Sequence, residues 1–253
     1  LAHLFETKIR ATVMGTAFSL ASLLSAAGGM ISGVCLQYSS ATSVYGWLFI
    51  VGSVIAWISM AVFWLIDDPA EHEEDISGKP DMKILLRRFR ESLANWNFRS
   101  FLIGRILVSV GLCISPFLAV YYQSPQGGQI PESFIVKSGA VMTIGTAIIT
   151  IIIGIWGDKR GHREPVIVGG IIQVITLLIV LFGKGKASCL AAYFGIGACT
   201  AFLFITHTNM LYETCPHEDR LAHITVGNLV MTLPLLVAPV VAGAIANKYG
   251  IAL

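Results

Sequence analysis

The sequence predicts an all-α fold, a polytopic transmembrane helix bundle, and three observations predict it. Seven long apolar stretches run at roughly 12–36, 45–66, 100–122, 134–156, 166–183, 187–212 and 222–246; about 20 mostly apolar residues cross a bilayer as a helix. Charged residues make up only 13% of the 253 and mean hydropathy is +0.74, whereas soluble domains carry about a quarter charged residues. Long alternating segments of the barrel-strand kind are absent. Hydrocarbon offers no partner to an open backbone amide, which leaves helices as the way across.

The same composition excludes several function classes. A net charge of +2, with no basic stripe and interleaved aromatics, argues against a nucleic-acid partner. Five scattered cysteines (Cys35, Cys113, Cys189, Cys199 and Cys215) form no C-x-x-C pair, and most fall inside apolar stretches as small packing residues. No H-E-x-x-H, G-x-S-x-G or Walker loop occurs, so the expectation is a protein that is not an enzyme, with no cofactor, no metal and no catalytic residues. The sequence begins with Leu1, shows no signal-peptide pattern and ends at Leu253 just after an apolar stretch, and it therefore reads as an internal segment of a longer protein.

Taken in order, the first two stretches (12–36 and 45–66) are joined by a short polar link, and the pair Gly28-Gly29 suits close helix packing. The longest loop, 67–98, opens on an acidic run, Asp67-Asp68-Pro69-Ala70-Glu71-His72-Glu73-Glu74-Asp75, read as unstructured. Its second part, 82–95, alternates basic and apolar residues in the manner of an amphipathic helix lying on a leaflet, with Trp96 at the interface. The third stretch contains Arg105 and Pro116, the fifth Gly169-Gly170, the sixth His207, and the seventh Pro234 and Pro239. Each proline removes a backbone hydrogen bond and can bend its helix.

Charge sets the orientation. With 1–11 placed in the cytoplasm, the inner loops carry Lys8, Arg10, Lys79, Lys83, Arg87, Arg88, Arg90, Arg99, Lys159, Arg160, Arg163 and Arg220. The outer ones carry Lys137, Lys184, Lys186 and Lys248. Twelve against four is a positive-inside bias, and Arg105 alone lies within a span.

An internal repeat is also present. Leu4-Phe5-Glu6-Thr7 precedes the first stretch and Leu211-Tyr212-Glu213-Thr214 the seventh, with arginine following in both copies (Arg10 and Arg220). The likeness continues through Gly15 with Gly227, Leu23-Leu24 with Leu235-Leu236 and Ala26 with Ala238, after a five-residue insertion. Six spans separate the copies, the spacing of two six-span halves related by an axis along the membrane normal.

Between the fourth and fifth stretches, on the inside, lies Gly154-Ile155-Trp156-Gly157-Asp158-Lys159-Arg160-Gly161-His162-Arg163. A tight interhelical turn needs glycines where backbones crowd, which accounts for Gly154, Gly157 and Gly161. With this loop the chain resembles the major facilitator superfamily, the twelve-helix secondary transporters, over its whole length. In that family a loop G-x-x-x-D-(R/K)-x-G-(R/K)-(R/K) follows the second helix and often recurs after the eighth. Gly154, Asp158, Lys159, Gly161 and Arg163 fit it, Pro165 suits the start of the next helix, and His162 departs from the usual basic residue.

The resemblance implies that the seven spans are helices five to eleven. Residues 1–66 would then end the N-terminal half, 67–98 would link the halves, and 99–253 would begin the C-terminal half. It implies that Asp158 meets the start of the first span near 10–12 and latches the cytoplasmic side shut. Arg160 or Arg163 would pair with Glu213. By pseudo-symmetry Glu6 would serve the other copy of the loop, with Arg10 and Arg220 in the same gate.

The resemblance further implies that the third and sixth spans line a central cavity, which makes Arg105, Ser109, Tyr193, Thr200, His207 and Asn209 the candidate substrate-pathway residues. Arg105 suits a bidentate grip on an anionic group and equally suits snorkelling to the inner headgroups. His207 suits carriage of a coupling proton and equally suits a packed, hydrogen-bonded role. The expected function is transmembrane transport of a small solute by alternating access, secondary active, with H+ the candidate coupling ion and the substrate unknown. The alternative is a non-transporting anchor or sensor module of the same build. Expected partners are a small-molecule solute and the lipid bilayer, with no nucleic acid, and the full-length protein is expected to be a monomer. The expected location is a bacterial plasma (inner) membrane, spanned several times.

Overall fold

The computed structural model describes residues 10–38, 42–63, 87, 90–91, 93–214 and 220–249. Among the described residues there is no strand, and the helices are α1 (Arg10–Tyr38), α2 (Thr42–Phe63), α3 (Trp96–Leu112), α4 (Ser115–Gln123), α5 (Glu132–Arg160), α6 (Arg163–Phe182), α7 (Gly185–Ala201), α8 (Thr208–Thr214) and α9 (Arg220–Tyr249). A π-helical turn, Phe202–His207, joins α7 to α8. Seven spans result: Ala11–Tyr38, Ser43–Ala61, Trp96–Gln123, Glu132–Arg160, Arg163–Phe182, Gly185–Leu211 and His223–Lys248. They coincide with the seven apolar stretches, so the protein is a multi-pass membrane helix bundle.

Two spans are composite, for different reasons. Pro116 lies in the first turn of α4, and the third span breaks at Cys113 and Ile114 just before it; a proline in mid-helix lacks the amide proton and crowds the preceding turn. Pro234 and Pro239 stay inside a continuous α9. The sixth span widens through its π turn without breaking. α3 starts under a cap: Asn95 Oδ1 accepts from the amides of Asn97 (3.0 Å) and Phe98 (3.2 Å), satisfying two of the orphan donors at a helix start.

α1 and α5 pack antiparallel along their length. Ala11 meets Gly154, Gly15 meets Thr150, Gly29 meets Ala140 and Gly33 meets Lys137. A Cβ on Gly15 would sit 2.5 Å from the Thr150 carbonyl oxygen, and one on Gly154 would sit 2.8 Å from that of Ala11. Here glycine is what lets two backbones touch, the packing mode of membrane helices that gain little from the hydrophobic effect. α5 and α7 cross as closely: Gly197 faces the Met142 carbonyl, and Thr146 Oγ1 donates to the Gly197 carbonyl at 2.9 Å.

Three buried clusters fill the bundle. Leu118, Tyr122, Ile135, Cys189 and Ile196 belong to the outer one, Phe98, Phe101, Leu102, Leu211 and Val226 form the inner one, and Ala11, Ile153, Phe202 and Ile205 join α1 to α5 and the π turn. In the outer cluster Tyr122 and Ser188 share a buried hydrogen bond of 2.9 Å. α2 and most of α9 present apolar side chains outward, among them Trp47, Phe49, Trp57, Leu236 and Val240, a surface suited to lipid. Of the amphipathic segment 82–95, Arg87, Arg90, Glu91, Leu93, Ala94 and Asn95 are described, with Arg87 Nε 3.6 Å from Glu91 at helical i,i+4 spacing. The acidic run 67–75 lies outside the described residues.

Candidate functional site

Two arrangements gather the candidate residues. The first is the inner junction of α1, α5 and α6. α5 ends at Arg160, and Gly161 turns the chain with φ at +81°, its amide closing onto the Gly157 carbonyl at 2.8 Å. A left-handed φ of this size strains any residue with a Cβ. The turn leaves Asp158 aimed at the start of α1. Its Oδ1 accepts from the Ala11 amide at 3.1 Å and its Oδ2 from the Thr12 amide at 2.7 Å. These amides lie at the described start of α1, and the amides of a helix's first turn lack intrahelical acceptors and carry the positive end of its dipole.

The same turn folds His162 back over α5. The imidazole fills the space a Gly157 side chain would need, with ring atoms 2.2 Å from where a Cβ would stand. Its Nε2 lies 3.6 Å from Glu213 Oε1. The family resemblance gives Glu213 to Arg160 or Arg163; in the structure the group recorded against it is His162. Both arginines are exposed, as is Lys159, while the positive φ of Gly161 points His162 inward. His162 is thus a functional candidate that the loop pattern alone does not single out. It does leave one signal in the sequence: an aromatic imidazole stands where the loop otherwise carries a flexible cation. Glu6 lies outside the described residues, as do the side chains of Arg10 and Arg220, which begin α1 and α9.

The second arrangement is a cavity of about 760 Å³ between α3, the start of α6 and the π turn with α8. Asn97, Arg163, Glu213 and Thr214 line its inner end; Arg105, Val108 and His207 line it further along the same helices. Arg105 Nε and Nη1 are buried without a hydrogen-bond partner, and so is Nδ1 of His207, which is 2% exposed. Phe101 packs against the His207 ring at 5.9 Å between centroids. Ser109, one turn beyond Arg105, and Thr206, beside His207, are buried with hydroxyls that have no hydrogen-bond partner among the described residues.

The π turn places this group. A π turn inserts a residue into the helical count and rotates the residues beyond it, and such turns cluster at functional positions. Asn209 is drawn into stabilising it: Nδ2 donates to the Ile205 carbonyl at 2.8 Å. Thr200 Oγ1 likewise donates within its own helix, to Ile196 at 2.8 Å, and Tyr193 packs in the outer core cluster. Of the six pathway candidates, then, the structure brings Arg105 and His207 together in the cavity with Ser109 close by. It places Tyr193, Thr200 and Asn209 elsewhere.

Residues 138–253 match the family model described as Major Facilitator Superfamily. The matched segment takes in most of α5, the Asp158 loop, the π turn and α9. No curated protein matches the chain.

Proposed function

We propose that the chain is a member of the Major Facilitator Superfamily, the family of small-solute transporters whose model matches residues 138–253, and that it carries a small solute across the membrane by alternating access, driven by a coupling ion such as H+. Residues 1–66 supply the end of one half of the transporter, 67–98 the link, and 99–253 the other half. The halves meet along the α1–α5 seam. One observation carries this reading: Asp158, on one half, accepts two amide hydrogen bonds from the first turn of α1, on the other. A charge that served topology alone would need no such partner. Rocking the halves apart at the inner end breaks both bonds, so Asp158 acts as a clasp that favours the inward-closed state. His162 and Glu213 brace the same junction from α8.

Two-sided accessibility tests the proposal. A cysteine replacing Val108, in a background without the native cysteines, is exposed to membrane-impermeant maleimide on either face of a sealed vesicle. An alternating-access transporter reacts from both faces, and locking either end by cross-linking suppresses reaction from that face alone. Reaction from one face only, unchanged by cross-links, would show a fixed membrane module and overturn the proposal.

A further inference from the structure

We propose that the cavity between α3, α6 and α8 is an oxyanion site, in which Arg105 and His207 hold a carboxylate or phosphate group of the ligand. The inference rests on the transport reading to the extent that it names a substrate class, small anions. The site itself stands on geometry. Arg105 lies nine residues into the span after Trp96, about 13 Å at the helical rise, and His207 lies six residues before Glu213, about 9 Å. Both therefore sit inside the bilayer, with a cavity leading to them from the inner surface.

A guanidinium at this depth ordinarily pairs with an acid, a backbone carbonyl or the headgroups. Among the described residues Arg105 finds neither an acid nor a carbonyl for two of its nitrogens: Nε and Nη1 are shielded from solvent and meet no acceptor. Glu213, the one acid lining the cavity among the described residues, is at the inner end, with His162 Nε2 3.6 Å from its Oε1. His207, on the same cavity, adds a buried ring nitrogen that has no partner among the described residues. Buried polar groups left open in this way are costly, and clustering them leaves a set that one oxyanion can satisfy. A planar guanidinium matches a carboxylate or phosphate through two parallel hydrogen bonds, and an imidazole N–H supplies a third. The π turn that ends at His207 is the backbone feature that presents the ring there. A neutral solute would leave the arginine charge unanswered.

The group can arrive on a dissolved anion or on a lipid headgroup, and the test separates the two. The protein is placed in nanodiscs of phosphatidylcholine and titrated with succinate and with inorganic phosphate, reading tryptophan fluorescence and melting temperature. A second set of discs contains phosphatidylglycerol and no added anion. Saturable binding of succinate or phosphate is expected in the neutral discs, weakened about 10- to 100-fold by Arg105→Gln, the scale of one lost charge-assisted bond. Arg105→Lys, which keeps the charge and loses the fork, should retain part of the binding. A response to phosphatidylglycerol alone, lost in Arg105→Gln, overturns the substrate class and assigns the oxyanion to a headgroup. No response to any of the three, or responses indifferent to both Arg105→Gln and His207→Gln, overturns the site. His207→Gln also covers the case in which Arg105→Gln does not fold. Anion binding without uptake into proteoliposomes would defeat the transport reading and leave the site standing; uptake of a neutral solute without anion binding would do the reverse.

Discussion

Replacing Asp158 by asparagine removes a charge while keeping nearly the same shape, and the inner junction tells how much that charge holds. Two amides reach the carboxylate, Ala11 at 3.1 Å and Thr12 at 2.7 Å. Hydrogen bonds to charged groups contribute about 1.5–3 kcal/mol each. A carboxylate at a helix N-terminus adds about 0.3–1 kcal/mol through the dipole. Asparagine can meet both amides only through one neutral carbonyl oxygen, as Asn95 does at the start of α3. Both bonds fall from charged to neutral strength and the dipole contribution vanishes, a total of about 2–4 kcal/mol. If the clasp exists only in the inward-closed state, the population with an open inner end rises about 30- to 1000-fold. Spin labels at Thr16 and Lys159, both exposed near the inner ends of α1 and α5, report this as a longer distance between the labels by pulsed electron resonance. Uptake should slow in the same variant with protein yield unchanged. An unaltered distance distribution in a folded Asp158→Asn protein refutes the clasp, because the carboxylate charge would then contribute nothing to the closed state.

Three further outcomes are expected from the packing. Gly15→Val forces α1 off the Thr150 carbonyl, which a Cβ would approach to 2.5 Å, and should lower stability by about 1–3 kcal/mol; Gly28→Ala, with nothing within 4 Å of its Cβ, should leave the melting temperature nearly unchanged, and equal effects would show that the seam is not a close backbone contact. Gly157→Ala collides with the His162 ring and should destabilise alone, while His162→Ala beside it should restore much of the loss; additive effects in the double-mutant cycle would mean that the ring is not held there. Tyr122→Phe removes the buried bond to Ser188, whose hydroxyl keeps a contact to the Ile179 carbonyl at 3.2 Å, so a cost of about 1 kcal/mol is expected in thermal unfolding; a loss several times larger would mean that Tyr122 does more than fill the outer core.

The sequence carried the architecture because bilayer physics writes it into local composition. Span length and glycine-rich crossings are each legible without knowing what packs on what. Asp158 was legible for a related reason: a carboxylate between two spans has few places to go, and a helix start is one of them. Rotation about the helix axis was not legible. α7 and the π turn are mostly apolar, so nothing in their pattern says that His207 looks into a cavity while Asn209, two residues on, is spent on the Ile205 carbonyl. That division falls at the π turn, Phe202–His207, whose sequence FLFITH reads like a turn of ordinary apolar helix. The turn depends on what surrounds it, with Phe202 packed over Gly169 and Ile205 in the cluster that joins α1 to α5. The inner junction shows the same limit on a smaller scale. A lysine or arginine at position 162 would reach outward to water, whereas imidazole is short, flat and able to seat on Gly157, so the residue that departs from the loop's pattern is the one the fold uses to reach Glu213.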